Sequence, residues 1–265
     1  MSEETQAKIR ACGVEVLPVP ERFNGACVND FRWELYRDYL REHADDYNMV
    51  FTADVRDTIF QADVFKCYED SGAFLGVALE EETLLNEINK GWLTARYGRA
   101  VYESMKQHRI ICTGTVWGTA QEFLSFTSAM AEHINSQDYP YFRVCDQAAG
   151  NWLIYHEKMF SDILRPSTNY DGAVMTVCHE VNLAPDGTIL NTTGKAAAVV
   201  HQYDRNTQLL QSVVKRYCAG MSVFAKLKLK HSQDFLGRVL RFLSRVHRKG
   251  LVRSIIEAVN RRIHR

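Results

Sequence analysis

The stretch Asn48-Met-Val-Phe-Thr-Ala-Asp-Val-Arg-Asp-Thr-Ile-Phe-Gln61 constrains this chain more than any other. Met49, Val50 and Phe51 form a short apolar run that reads as a buried strand. Asp54 and Asp57 follow just past its end, with Arg56 between them. Ahead of it, from Asp30 to Glu42, Phe31, Leu35, Tyr36, Tyr39 and Leu40 recur at helical spacing, with Asn29 or Asp30 as the N-cap. The local order is helix, strand, acidic turn, with the helix packed under the strand. Open α/β sheets gather ligands where strands deliver their carboxyl ends. Two carboxylates there suit a hard divalent cation holding a diphosphate. The same residues also suit a plain turn, in which the aspartates cap the next element and Arg56 is their salt partner.

Other elements can be placed around this unit. Residues 4 to 11 are helix-like and Gly13 stops them; Val14 to Pro20 reads as a strand ended by prolines. Phe74 to Leu79 is a strand, and Glu80-Glu-Glu-Thr-Leu-Leu85 opens an acidic helix. Trp92 and Tyr97 in the helical stretch 86–99 suit packing better than a ligand contact. Arg109 to Cys112 is a short strand, Thr113-Gly-Thr-Val-Trp-Gly118 a glycine-bearing turn, and Thr119 to His133 a helix. Glycines at such a turn let backbone amides approach a ligand, and the following helix N-terminus favours an anion. Asp146 opens a further helix. Ala173 to Cys178 is a strand, Leu183 to Leu190 a hairpin with Asp186-Gly187 at its tip, and Ala196 to His201 an apolar strand from which a histidine emerges.

Four of these stretches share a resemblance. Ala53-Asp-Val-Arg-Asp-Thr-Ile-Phe-Gln61, followed by Asp63 and Phe65, resembles the acidic motif D-x-R-D-x-x-F-Q of a group of GT-A-type glycosyltransferases whose better-known relatives carry Asp-x-Asp. Cys112-Thr-Gly-Thr-Val-Trp-Gly118, Asp146-Gln147 and Val200-His-Gln-Tyr-Asp-Arg205 resemble the same group in the same order, over about residues 4 to 210. The resemblance implies a GT-A-like α/β fold, a mixed central sheet flanked by helices. It implies transfer of a sugar from a nucleoside-diphosphate sugar to an acceptor hydroxyl, in surface glycan or polysaccharide biosynthesis of bacterial type. Asp54, Asp57 and His201 are then the ligands of Mn²⁺ or Mg²⁺, with the three-residue spacing leaving open which aspartate touches the ion. Asp146 is the implied catalytic carboxylate. Arg56, Thr113, Gly114, Thr115, Gln147 and Arg205 are the implied donor contacts. A strand that normally opens such a domain is missing ahead of residue 4: it is absent, it lies upstream of this start, or the nucleotide is held differently. The acidic turn alone also fits a metal-dependent nucleotidyltransferase or pyrophosphohydrolase, and the short N-terminus fits a non-catalytic partner subunit.

Charge separates a domain spanning 1–221 from a tail spanning 222–265. The net charge is zero, yet the tail holds 12 Lys plus Arg against 2 Asp plus Glu, a net of +10 that leaves −10 on the rest. Two apolar stripes in the tail, with Arg238, Arg241, Arg245, Arg248 and Lys249 among its cations, describe a basic amphipathic helical extension. Such a helix seeks an anionic membrane surface and points to a lipid-linked or glycan acceptor; nucleic acid is a weaker, disfavoured option because the cations are not regularly interleaved with stacking aromatics. The alternative is a helix pair that caps the core or binds another protein. Seven scattered cysteines without Cys-x-x-Cys spacing, and an N-terminus unlike a signal peptide, point to a reducing cytoplasmic setting, peripheral to the membrane.

Overall fold

The computed structural model describes residues 2–23, 27–136, 146–176, 179–180 and 182–217. The tail, with Arg238, Arg241, Arg245, Arg248 and Lys249, lies outside the described residues, as does the proposed domain boundary at 221/222. Among the described residues the chain is a mixed α/β fold. Its first sheet has the order β1-β4-β3-β5 (Met49–Ala53, Arg109–Thr119, Leu75–Thr83, Leu164–Ser167), antiparallel except for the parallel β3/β5 pair. A second sheet has the order β2-β9-β6 (Thr58–Phe60, Val199–His201, Val174–Thr176), and β7 (Asn182–Leu183) pairs with β8 (Ile189–Leu190) as the expected hairpin.

Helices α2 (Val28–His43), α4 (Ala120–Asn135) and α5 (Asp146–Asn151) cover one face of the first sheet. Alternation along the strands explains how. Leu75 and Val77 of β3 and Val116 of β4 pack with Trp33, Phe123, Phe126 and Met130 of the helices. Phe74, Ala78 and Trp117 point the other way and join Val174 and Val199 of the second sheet. Gly76 faces Trp117 across the ladder, and a Cβ there would fall 2.1 Å from the indole, so glycine is what lets the ring lie flat on β3. Helix α3 (Glu87–Met105) buries Leu93, Tyr102 and Met105 against Leu84 and Ile110. Helices α1 (Glu3–Arg10) and α6 (Thr207–Tyr217) complete the described chain.

Several expectations need correction. Val14 to Pro20 is not a strand: it finds no ladder, Pro18 and Pro20 offer no donor, and Val14, Leu17 and Val19 stay exposed. Instead it walls an apolar cavity of about 630 Å³ with α2 and β1. The N-cap of α2 is Cys27, whose carbonyl takes the amides of Asp30 and Phe31, not Asn29 or Asp30. The strand Met49–Ala53 sits at a sheet edge and is half-buried rather than buried. Glu80 to Thr83 continues β3 because Thr83 still pairs with Arg109; the next helix starts later, capped by the Asn86 side chain. Finally, Thr113 to Gly118 is not a turn. It is the middle of the eleven-residue β4, and α4 starts at Ala120, away from the acidic residues.

Candidate metal centre and cleft

Backbone pairing brings the acidic turn and the histidine together. The β1/β4 ladder ends with Ala53 opposite Thr115, and the Asp54 amide then donates to the Gly114 carbonyl at 3.0 Å. The β2/β9 ladder begins with Thr58 opposite His201, and the Gln202 amide donates to the Asp57 carbonyl at 2.7 Å. Residues 54–57 therefore carry the chain from one sheet to the other, and both aspartates are fixed at the crossing. Gln202 has a left-handed backbone, φ 54° and ψ 33°, a conformation that costs about 1–3 kcal/mol outside glycine and that gathers at functional sites.

His201 Nε2 lies 3.7 Å from Asp54 Oδ2 and 3.8 Å from Asp57 Oδ1. These distances are too long for hydrogen bonds. They are short enough for one ion at about 2.1 Å from each atom. The imidazole is fully buried, and its Nδ1 is engaged by the Thr176 hydroxyl at 3.0 Å and the Cys112 thiol at 3.4 Å. Among the described residues Nε2 has no hydrogen-bond partner. A ring held through one nitrogen with the other left free toward two carboxylates is the usual arrangement of a metal-ligating histidine. Gly114 makes the space: a Cβ there would stand 2.3 Å from His201 Cε1 and 3.0 Å from Asp54 Oδ2. Asp54, Asp57 and His201 could thus hold a metal ion.

A cleft of about 540 Å³ opens beside this cluster, within the range of small-molecule sites. Asp54, Arg56, Asp57, Thr113, Gly114, Asp146, Gln147 and Arg205 line it, so eight of the residues singled out from sequence converge. Thr115 does not. It is wholly buried in β4 opposite Ala53 and is absent from the lining. Arg56 reaches Asp57 at 2.8 Å and Asp204 at 3.6 Å while remaining 71% exposed, free to meet a ligand. Asp146 is buried at the start of α5; its Oδ1 accepts from the Gln147 amide at 2.8 Å and its Oδ2 from the Thr113 hydroxyl at 3.3 Å.

Three contributors escaped the reading of the sequence, and a fourth, Trp92, was weighed there as a ligand contact with packing preferred. Arg32 bridges Asp54 and Asp146 at 2.5 Å each. Thr176 holds the imidazole, Asn89 accepts from the Gln147 side chain at 3.0 Å, and Trp92 lines the cleft as well as packing in the α3 core. Of the three that escaped, only Arg32 left a signal: it precedes Leu35 and Tyr36 by three and four residues, so it stands as a charge on the apolar stripe of α2.

The electrostatics follow from burial and these pairs. Burial pulls the His201 pKa down, but Cys112, Asp54 and Asp57 push it up, to about 10 overall. Burial raises Asp54, yet His201 and Arg32 outweigh it and hold the carboxyl below its ordinary range. In Asp146 burial dominates, and its pKa is raised despite Arg32. Glu80, on β3 near His201, is pushed up to about 7, chiefly by burial. Among the described residues no helix is long and apolar enough to cross a membrane. A scan against protein-family models and a search of curated proteins each found no match to this chain.

Proposed function

We propose that the chain is a metal-dependent glycosyltransferase of GT-A-like fold, moving a sugar from a nucleoside-diphosphate sugar to an acceptor hydroxyl in surface glycan or polysaccharide assembly. The observation that carries this reading is the convergence of Asp54, Asp57 and the unpartnered Nε2 of His201 at the edge of a cleft that also holds Asp146. Two carboxylates and a neutral imidazole suit Mn²⁺ first and Mg²⁺ second. Bound there, the ion would supply Lewis-acid stabilisation of charge on a leaving diphosphate.

The protein's own groups divide the remaining work. Arg56 and Arg205 border the same cleft and offer forked donors to phosphate oxygens. Gln147 and Thr113 offer polar contacts to sugar hydroxyls. Asp146 is pinned through both oxygens, and burial raises its pKa, the direction that makes a carboxylate a better proton acceptor. As general base it would give an inverted product; as a residue that only positions the sugar it would give retention. The basic tail supports peripheral attachment to anionic lipid at the cytoplasmic face and a lipid-linked acceptor.

The test is thermal stability of the purified chain against a panel of nucleotide sugars, with and without Mn²⁺, followed by product analysis. One donor should raise the melting temperature only with metal, by an amount set by its concentration over Kd. Asp146→Asn should keep the Mn²⁺-dependent shift and lose turnover by at least about 100-fold. No donor shift in the presence of Mn²⁺ would sink the transferase reading, and sugar release with no transfer would favour a hydrolase.

A further inference from the structure

The metal cluster accounts for Asp54, Asp57 and His201 but not for the nearly buried cation beside them. Arg32 is 13% exposed. Its Nη1 donates to Asp54 Oδ1 at 2.5 Å, and its Nη2 donates to Asp146 Oδ2 at 2.5 Å and to the Thr113 carbonyl at 3.1 Å. Helix α2, the turn after β1, strand β4 and the start of α5 therefore meet at one guanidinium. Each oxygen of Asp54 has its own direction: Oδ1 toward Arg32, Oδ2 toward His201 Nε2.

A buried ionic bridge is weak evidence for stability, because apolar packing of similar volume serves a fold as well or better. Arg32 is also an incompletely satisfied cross-link, since its buried Nε–H has no partner among the described residues. What apolar packing cannot do is set the rotation of a carboxylate. A planar fork does so, and a single-point ammonium does it poorly. The Thr113 carbonyl fixes the plane of the fork in turn.

We propose that Arg32 is a positioning residue. It holds Asp54 with one oxygen turned to the ion, and it sets Asp146 in register with that oxygen through the same rigid plane. The proposal rests on the metal-site reading above and makes a claim opposite to that of charge alone. A nearby cation repels a divalent ion, so if Arg32 were only a charge, removing it would tighten ion binding. If it orients a ligand, removing it loosens binding, as losses of partners behind metal ligands do.

The experiment uses the full chain and Mn²⁺ alone, titrated by the electron paramagnetic resonance signal of free ion, with folding checked by circular dichroism and melting. The variants are Arg32→Lys, which keeps the charge and loses the fork, and Arg32→Gln, which loses the charge. Because Arg32→Gln leaves Asp146 buried and unpaired, the double variant Arg32→Gln with Asp146→Asn is read against Asp146→Asn. Orientation predicts that each folded variant binds Mn²⁺ about 10- to 100-fold more weakly than its reference. Arg99→Gln, on an 86% exposed side chain of α3, should match the wild type. The proposal is overturned if Arg32→Lys binds as the wild type does while Arg32→Gln, or the double variant, binds more tightly. A wild-type chain that binds no Mn²⁺ would remove the metal reading itself and this inference with it, an outcome distinct from wild-type binding that ignores Arg32.

Discussion

Replacing Gly114 with alanine tests the candidate centre by a single methyl group. The added Cβ would stand 2.3 Å from His201 Cε1 and 2.7 Å from Nε2. Non-bonded carbons settle at about 3.5–4.0 Å, so something must move by more than about 1 Å. The ring cannot yield cheaply, because it is fully buried and its Nδ1 is engaged by Thr176 and Cys112. The Gly114 backbone cannot yield cheaply either, since its carbonyl accepts the Asp54 amide. Overpacking of this kind costs about 1–3 kcal/mol. At about 2–4 °C per kcal/mol for a chain near this size, the melting temperature should fall by about 2–12 °C. The sharper effect is on the ion: a displaced ring takes Nε2 off the carboxylates, and stabilisation by Mn²⁺ should largely vanish. Gly91→Ala is the control. It lies in α3 with nothing within 4 Å of its Cβ, and alanine there should stabilise by up to about 1 kcal/mol with the Mn²⁺ shift intact. Differential scanning fluorimetry with and without Mn²⁺ reads both quantities. If Gly114→Ala melts with the wild type and keeps its Mn²⁺ shift, the placement of His201 against β4 is wrong.

Two further predictions concern pH. His201 is raised from its ordinary 6.5 to about 10, so the stability it lends the metal-free protein is full below 6.5 and is lost as pH rises through 10, whereas the ion needs a neutral ring. The Mn²⁺-dependent rise in melting temperature should therefore grow between pH 6 and 8.5 and shrink in acid; a shift independent of pH would contradict this. Glu80 is raised from 4.5 to about 7 by burial, so its contribution is present below 4.5 and lost as pH rises through 7. Glu80→Gln should flatten the decline in melting temperature between pH 4.5 and 7.5, and an unchanged slope would show that Glu80 is not the group titrating.

What could be read ahead of the structure was local or carried by motif order. The stripe Phe31, Leu35, Tyr36, Tyr39, Leu40 announced α2, and Asp186-Gly187 announced the β7/β8 hairpin, because both signals lie within a few residues. The convergence of Asp54 and Asp57 on His201, 147 and 144 residues away in sequence, with Asp146 lining the cleft beside them, was suggested only by resemblance. Glycine misled at 114 and 118. Both look like turn residues, yet they sit in β4 because the His201 ring and the Phe74 carbonyl come close, and close approach from a distant element leaves no local trace. Glu80 to Glu82 misled through charge: pairing with β4 overrides the preference of three glutamates for a helix start. Thr176 and Asn89 carry no signature at all, since support for a site is chosen by geometry and not by residue type.

The four residues between Ala53 and Thr58 also have a mechanical meaning. They are the covalent tie between β1 of one sheet and β2 of the other, and β9, paired to β2, brings His201 back to the same tie. A small slide or rotation of one sheet against the other would stretch the distance from His201 to Asp54, whose amide is tied to β4, while Asp57, tied to Gln202, would move with the ring. The stiffness of that junction is thus part of the site's affinity, and an occupied site would in turn brace the junction. Substitutions that loosen the contact between the sheets, even in the layer of Phe74, Trp117 and Val199 away from the cleft, should be felt as weaker ion binding without any ligand having changed.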